Sequence, residues 1–359
     1  MTGGRRLVAS LALAWGTLVG TVVSAAPAGA FRPGRPAEPS ATDAKKQAAP
    51  EPASAHELAR FLGLEPAWLE PEEKLRLASR WTELVFNTDS REVLLNDIRV
   101  FMGEGATVVP DGKTLRLSGI DRDRLLVPIL APQTNEPRRP VQIIALDPGH
   151  GGIDKGTRNE KLGLVEKEFT LDVSRRLKSL LQARGFRVML TRENDSYVPL
   201  PERPARAATA GADLFVSLHF NAAGRSNVRG IETYVLTPQF QRSTGSEEKQ
   251  AEDSIASPGN RFDRWNSYLG YTIHGILLKE LKLPDRGLKR ARFAVLRDLS
   301  CPGLLVEGGY LSNPDEAKLV STSAYRDRLA AAIANGIEVY NQTLKRLEAS
   351  RAAESEEGS

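Results

Sequence analysis

From residue 141 onward, apolar runs of strand length alternate with stretches whose large apolar side chains recur at helical spacing. Residues 141–146 are apolar apart from Gln142, as expected of a strand buried on both faces of a parallel sheet. Leu171, Leu177, Leu180 and Leu181 follow at helical spacing, and Gly185 closes that helix before a strand at 186–190. The pattern then predicts a helix at 202–210, strands at 213–219 and 231–236, and a helix at 264–283. Strands at 293–296 and 303–307 and a last helix at 324–347 complete it. Such alternation predicts an α/β domain: a mostly parallel, twisted sheet with helices on both faces.

The first 140 residues read differently. Arg5 and Arg6, the apolar run 7–23 and the small residues Ala28-Gly29-Ala30 form the pattern of an export signal over 1–30. Residues 31–54 are rich in Pro, Ala, Ser, Lys and Glu, too poor in large apolar groups to offset the entropy of ordering, and are expected to be a disordered linker. A small helical and β-rich module is expected over 55–130. Leu58, Phe61 and Leu62 sit at helical spacing, with Leu75, Leu77 and Trp81 read as further short helix. Strand-like runs follow at 83–86, 93–97, 100–102, 114–117 and 125–128, separated by turn signals at Asn96-Asp97 and Pro110-Asp111-Gly112. Residues 131–140 read as a second linker, 141–347 as the α/β domain and 348–359 as a polar tail.

Composition narrows the chemistry. The chain has 359 residues, 41% hydrophobic and 26% charged, an ordinary globular balance. Arg5 and Arg6 are the only charged residues among the first 30, so of 49 basic residues 47 remain against 45 acidic ones. A nearly neutral chain gives little reason to expect nucleic acid as a partner. Beyond residue 31 no stretch is apolar enough to cross a membrane, so a periplasmic or secreted protein with no stable span is expected after signal removal. One cysteine excludes a disulfide scaffold and thiolate zinc sites, and Cys301 is expected to be a buried apolar residue. Any metal must therefore be held by carboxylates and by some of the four histidines.

Functional groups of open α/β sheets gather at the carboxyl ends of strands. Three expected strands end in chemistry-bearing residues: the first at Asp147-Pro148-Gly149-His150-Gly151-Gly152, another at His219-Phe220-Asn221, a late one at Glu307-Gly308-Gly309. Two imidazoles and a carboxylate suit a catalytic zinc, which keeps one position open, and a second carboxylate can take a proton from water. Glu166, at the start of the first long helix, is the best-placed additional carboxylate, with Glu160 and Glu168 as competitors that spacing does not separate. His56 and His274 lie on helical stretches and read as structural. No H-E-x-x-H and no G-x-S-x-G occurs, which sets aside helical zinc proteases and serine hydrolases.

Residues 143 to about 340 resemble the zinc-dependent N-acetylmuramoyl-L-alanine amidases of the amidase_3 type, which separate stem peptides from glycan in bacterial peptidoglycan. The similarity is carried by motifs in order: 146–156, 166–172, 191–195, 211–221, 286–288, 293–296 and 305–314. It implies an amidase-like fold, one zinc held by His150, Glu166 and His219, and Glu307 as the catalytic glutamate, and so settles Glu166 over its competitors. It also implies peptidoglycan as substrate, a role in cell wall remodelling or daughter-cell separation, and an envelope activator protein as a possible partner. Asn221 is read as a substrate contact or a turn-stabilising residue, and Asp147, Arg192, Asp195 and Asp213 as scaffold.

This chain departs from the family's usual pattern at Lys155, Thr157, Thr209 and Phe220, and Phe220 is expected to narrow the groove. Some members carry an inhibitory helix in the region matching 237–262. Here few apolar anchors and Pro258-Gly259 favour a mobile loop.

Overall fold

A computed structural model describes residues 49–357. Eleven strands form one sheet. At one edge Arg187–Leu190, Ile143–Pro148, Leu214–Asn221 and Gly303–Tyr310 lie side by side, all parallel. Ile231–Leu236 then joins antiparallel to Gly303–Tyr310, and Asp285–Ala291 runs parallel to Ile231–Leu236. The sheet is therefore mixed, and the expectation of a mostly parallel one holds only for its α/β part.

Alternation along the central strands divides the core into two layers. Ile144, Leu146, Val216, Leu304 and Val306 point into the larger cluster, shared with the helices Glu166–Ala183, Asp263–Leu281 and Ser323–Glu357. Ala145, Phe215 and Leu305 point the other way, onto Ala207, Val295, Leu296 and buried Cys301. Because both faces are covered, these strands read in the sequence as continuous apolar runs.

The first module is not a body apart. Ile98–Phe101 lies beside Asp285–Ala291 through the pair Leu288 and Val100, and an antiparallel meander continues the sheet to Glu65–Glu70. The stretch 131–140, expected to be a linker, is packed: Asn135 is buried, Trp265 Nε1 donates to the Glu136 carbonyl, and Arg138 donates to the Asp213 carbonyl. The expected linker 31–54 likewise ends in structure, since Ala53–Ser54 pairs with Leu115–Leu117 and Ser54 forms a capping box with Glu57 on helix Ala55–Leu62. Residues 49–52 carry no regular structure, and both the rest of that stretch, 31–48, and the export signal of 1–30 lie outside the described residues.

Several expected elements change type. Leu75 and Leu77 belong to the strand Lys74–Ala78, where a spacing of two puts both on the buried face. Residues 125–128 are helical, within turns spanning Arg122–Leu130 that bury Leu125, Leu126 and Ile129. Phe293 precedes the one-turn helix Ala294–Arg297, and the neighbouring strand is instead Asp285–Ala291. The tail is helical to Glu357, because residues after 347 are rich in the helix formers Ala, Glu and Arg. The segment 237–262 holds only the short 3-10 turns Ala251–Ser254 and Pro258–Phe262, and arginines tie it to the rest of the fold. Arg91 donates to the carbonyls of Ser243 and Ser246, and Arg292 donates to Asp253 and to the carbonyls of Pro238 and Gln241. Arginine anchors replace the missing apolar ones. Among the described residues no helix is long and apolar enough to cross a membrane.

Candidate metal centre

His150 follows the strand Ile143–Pro148 with a left-handed backbone, φ 61°. An uncommon conformation for a non-glycine residue needs external support. Arg203 supplies it, donating to the carbonyls of Pro148 and His150 while pairing with Asp147 in a buried ion pair at 2.8 Å. Asp147 also accepts from the hydroxyls of Thr191 and Ser217, and Arg192 donates to the carbonyls of Pro148 and Gly149. Asp195 accepts from Gly152 N, and Asp213 from Gln142 N and Ile143 N. These residues hold backbone, the arrangement expected for scaffold.

Glu166 opens its helix, and its side chain is buried. Its Oε1 lies 3.1 Å from His150 Nε2 and 3.0 Å from His219 Nδ1, and accepts from Phe220 N; Oε2 accepts from Thr157 N. Glu160 pairs with Arg158 in solvent and Glu168 is exposed, so neither reaches the histidines. The approach is close enough to dictate two glycines. A Cβ on Gly149 would stand 2.3 Å from the His219 ring, and one on Gly156 2.5 Å from the His150 ring and 2.6 Å from Glu166 Oε2.

The structure thus gathers His150, Glu166 and His219, with one potential ligand atom from each, all within 4.8 Å of one another. Burial alone would raise the Glu166 carboxyl, but the hydrogen bonds and charges of both imidazoles outweigh it and hold it far below the usual range. Burial would likewise lower His150; Glu166 and Asp154 outweigh it and raise it. A buried carboxylate drawn to two partly exposed imidazoles is a donor set that suits a borderline cation such as zinc. Asp154, which sequence reasoning passed over, accepts or shares a proton with His150 Nδ1 at 2.9 Å and leaves Nε2 facing Glu166. Its signal was a carboxylate four residues after the histidine on the same glycine-rich turn.

Glu307 stands directly beside His219 across the strand pair, and its half-buried carboxylate has one oxygen, Oε2, buried without a hydrogen-bond partner. Burial, with the charges of Glu166 and Glu232, pushes its pKa well above the usual carboxylate value, against the pull of Lys289. Asn221 is held at both ends of its amide. Its Nδ2 donates to Glu232 Oε2 and its Oδ1 accepts from Ala222 N, so the turn-stabilising role is the one its contacts serve. Phe220 does not narrow the groove, because one step along the strand reverses its direction; it is buried in the core against Phe169. His274 is buried between Thr233 and Asp285, and His56 lies on the first helix, both away from the cluster. Glu232, also passed over, is a charge inside the buried run Ile231–Leu236, and that anomaly was its signal.

An α/β sheet that brings two histidines from its strand ends together with a glutamate from a helix start offers a three-residue donor set able to hold one metal ion. Residues 144–339 match the family described as Amidase_3, N-acetylmuramoyl-L-alanine amidase, and the chain belongs to that family. It is 36% identical over 227 residues to the N-acetylmuramoyl-L-alanine amidase AmiC of Neisseria meningitidis, covering 57% of this chain and 54% of the relative. It is 30% identical over 220 residues to AmiA of Escherichia coli, covering 55% of this chain and 76% of the relative. The chain thus spans about half of one curated relative's length and three quarters of the other's. A solved N-acetylmuramoyl-L-alanine amidase from Clostridium difficile 630 is 28% identical with a TM-score of 0.47, covering 56% of this chain and 96% of that one.

Proposed function

We propose that the chain is a zinc-dependent N-acetylmuramoyl-L-alanine amidase that hydrolyses the amide between N-acetylmuramic acid and L-alanine in bacterial peptidoglycan. The convergence of His150, Glu166 and His219 at one point carries the reading, together with membership of the amidase family. These three side chains would hold the ion, and Asp154 fixes the tautomer of His150. Bound zinc supplies Lewis-acid activation of water and of the lactyl carbonyl.

Glu307 does the proton work. Its carboxylate takes a proton from the attacking water as the oxygen bonds to the carbonyl carbon. It returns that proton to the alanine nitrogen as the carbon–nitrogen bond breaks. A base whose proton affinity is raised by burial suits both halves of that transfer. Export through the signal over 1–30 would place the enzyme in the periplasm or outside the cell, where it would remodel wall or separate daughter cells.

Digestion of purified sacculi tests the reading. The expected products are peptides that begin with free L-alanine and glycan with intact muramic lactyl groups. Digestion should stop with chelator and return with added zinc. Products cut within the stem peptide would assign a peptidase instead, and digestion indifferent to chelation would overturn the metal reading.

A further inference from the structure

Glu232 is the most heavily bonded carboxylate near the centre, and the reaction assigned above does not use it. It is in register with Glu307 on the antiparallel neighbour, so His219, Glu307 and Glu232 form one row across three adjacent strands. Only 2% of Glu232 is exposed. Its Oε1 accepts from Lys289 Nζ at 2.6 Å, Tyr310 OH at 2.6 Å and Arg286 Nε at 3.2 Å; Oε2 accepts from Tyr234 OH at 2.7 Å and Asn221 Nδ2 at 2.8 Å. Five donors on one carboxylate leave it no freedom to move, and they tie its strand to the strand end of Asn221 and to that of Tyr310.

Lys289 is held from the far side as well. Its ammonium lies 5.7 Å from the centre of the Phe101 ring and 5.8 Å from that of Tyr234, within cation–π range. Phe101 comes from the meander of the first module, at the one place where that meander joins the sheet. It lies over Gly287, where a Cβ would stand 2.5 Å from its ring, so the absence of a side chain there makes room for it. A side chain of the first module therefore touches the lysine that holds Glu232 beside Glu307.

We propose that Lys289 and Glu232 are positioning residues for Glu307, and that Phe101 of the first module clamps Lys289 in place. The module is then part of the catalytic scaffold in addition to anything it binds. This rests on the reading of Glu307 as the proton carrier. Removing the clamp loosens the Glu232 end of the row beside Glu307, so the cost falls on turnover, while His150, Glu166 and His219 keep their own contacts to one another and to Asp154.

Steady-state kinetics of the zinc-loaded chain test this, using a soluble fragment of N-acetylmuramic acid carrying its stem peptide. Lys289→Met is expected to lower kcat on the order of 10-fold with KM and zinc stoichiometry unchanged, and Lys289→Arg to recover most of it. Phe101→Leu is expected to lower kcat about 3-fold, whereas Phe86→Leu, a core change in the same module away from Lys289, leaves it unchanged. Equal kcat in Phe101→Leu and Phe86→Leu would overturn the clamp, also if Lys289→Met fails to fold. Full kcat in Lys289→Met, or a loss confined to KM, would overturn the positioning role. Glu307→Gln separates the two readings: if it retains activity, the assignment of the base fails; if it is inactive while Lys289→Met and Phe101→Leu turn over normally, only the present inference fails.

Discussion

His219 and Glu307 face each other as register partners on neighbouring parallel strands, which places an imidazole from the cluster of His150, Glu166 and His219 beside a carboxylate whose Oε2 is buried without a hydrogen-bond partner. The hydrogen-bonding of the sheet, and no loop, sets their separation. A site mounted on central strands is held more tightly than one built on loops.

The first prediction follows from that pairing. Glu307→Gln keeps the shape of the side chain and removes the proposed base, so turnover of sacculi should fall by at least ~100-fold. Zinc content, measured by elemental analysis, should stay at the level of the parent, because Glu307 is outside the cluster of His150, Glu166 and His219.

Asp154 gives the second. Its contact to His150 Nδ1 orients the ring, so Asp154→Ala should weaken zinc binding by about 10- to 100-fold. Competition with a chromophoric chelator reads this directly. An unchanged affinity would remove Asp154 from the site.

The third concerns the floor beneath His150. Arg203 and Asp147 are both almost wholly buried, and Arg203→Met would strand the carboxylate without its cation. Stability should drop by about 3–5 kcal/mol, measured by urea unfolding. The hydroxyls of Thr191 and Ser217 remain as partners of Asp147, which favours the lower end of that range.

Asp263 supplies a pH dependence away from the metal. Burial pushes its carboxyl up from 3.8 to about 7, against the hydrogen bond from Asn260 and the charges of Arg124, Arg290 and Arg292. A folded value above the unfolded one means that the folded state holds the proton more tightly. Its contribution is complete below 3.8 and is lost as the pH rises toward about 7. Asp263→Asn should flatten that decline in denaturant midpoints recorded across this window; an identical slope in parent and variant would refute it.

Local pattern carried much of the α/β part. The strand ends that bear His150, His219 and Glu307 were legible because apolar runs buried on both faces stop abruptly at polar residues next to glycines. Glu166 needed more: three glutamates share the region, and family resemblance chose among them before the fold showed Glu160 and Glu168 turned to solvent. The strand Asp285–Ala291 was illegible for a physical reason. Its inward positions include Arg290, buried against Asp121, and Lys289, bound to Glu232, so the partners that make a charged strand tolerable lie far away in sequence.

By itself, then, the sequence determined the alternation of strands and helices, the residue types able to hold a metal, and which histidines lie at strand ends. Those are consequences of periodicity and of side-chain chemistry, which are local. Only the tertiary structure decided that the first module extends the same sheet, that Phe220 turns inward, that Asp154 orients His150, and that Glu232 and Lys289 stand beside Glu307. Each of these depends on strand register and on contacts between distant segments, and neither is encoded in the spacing of residues along one stretch of chain.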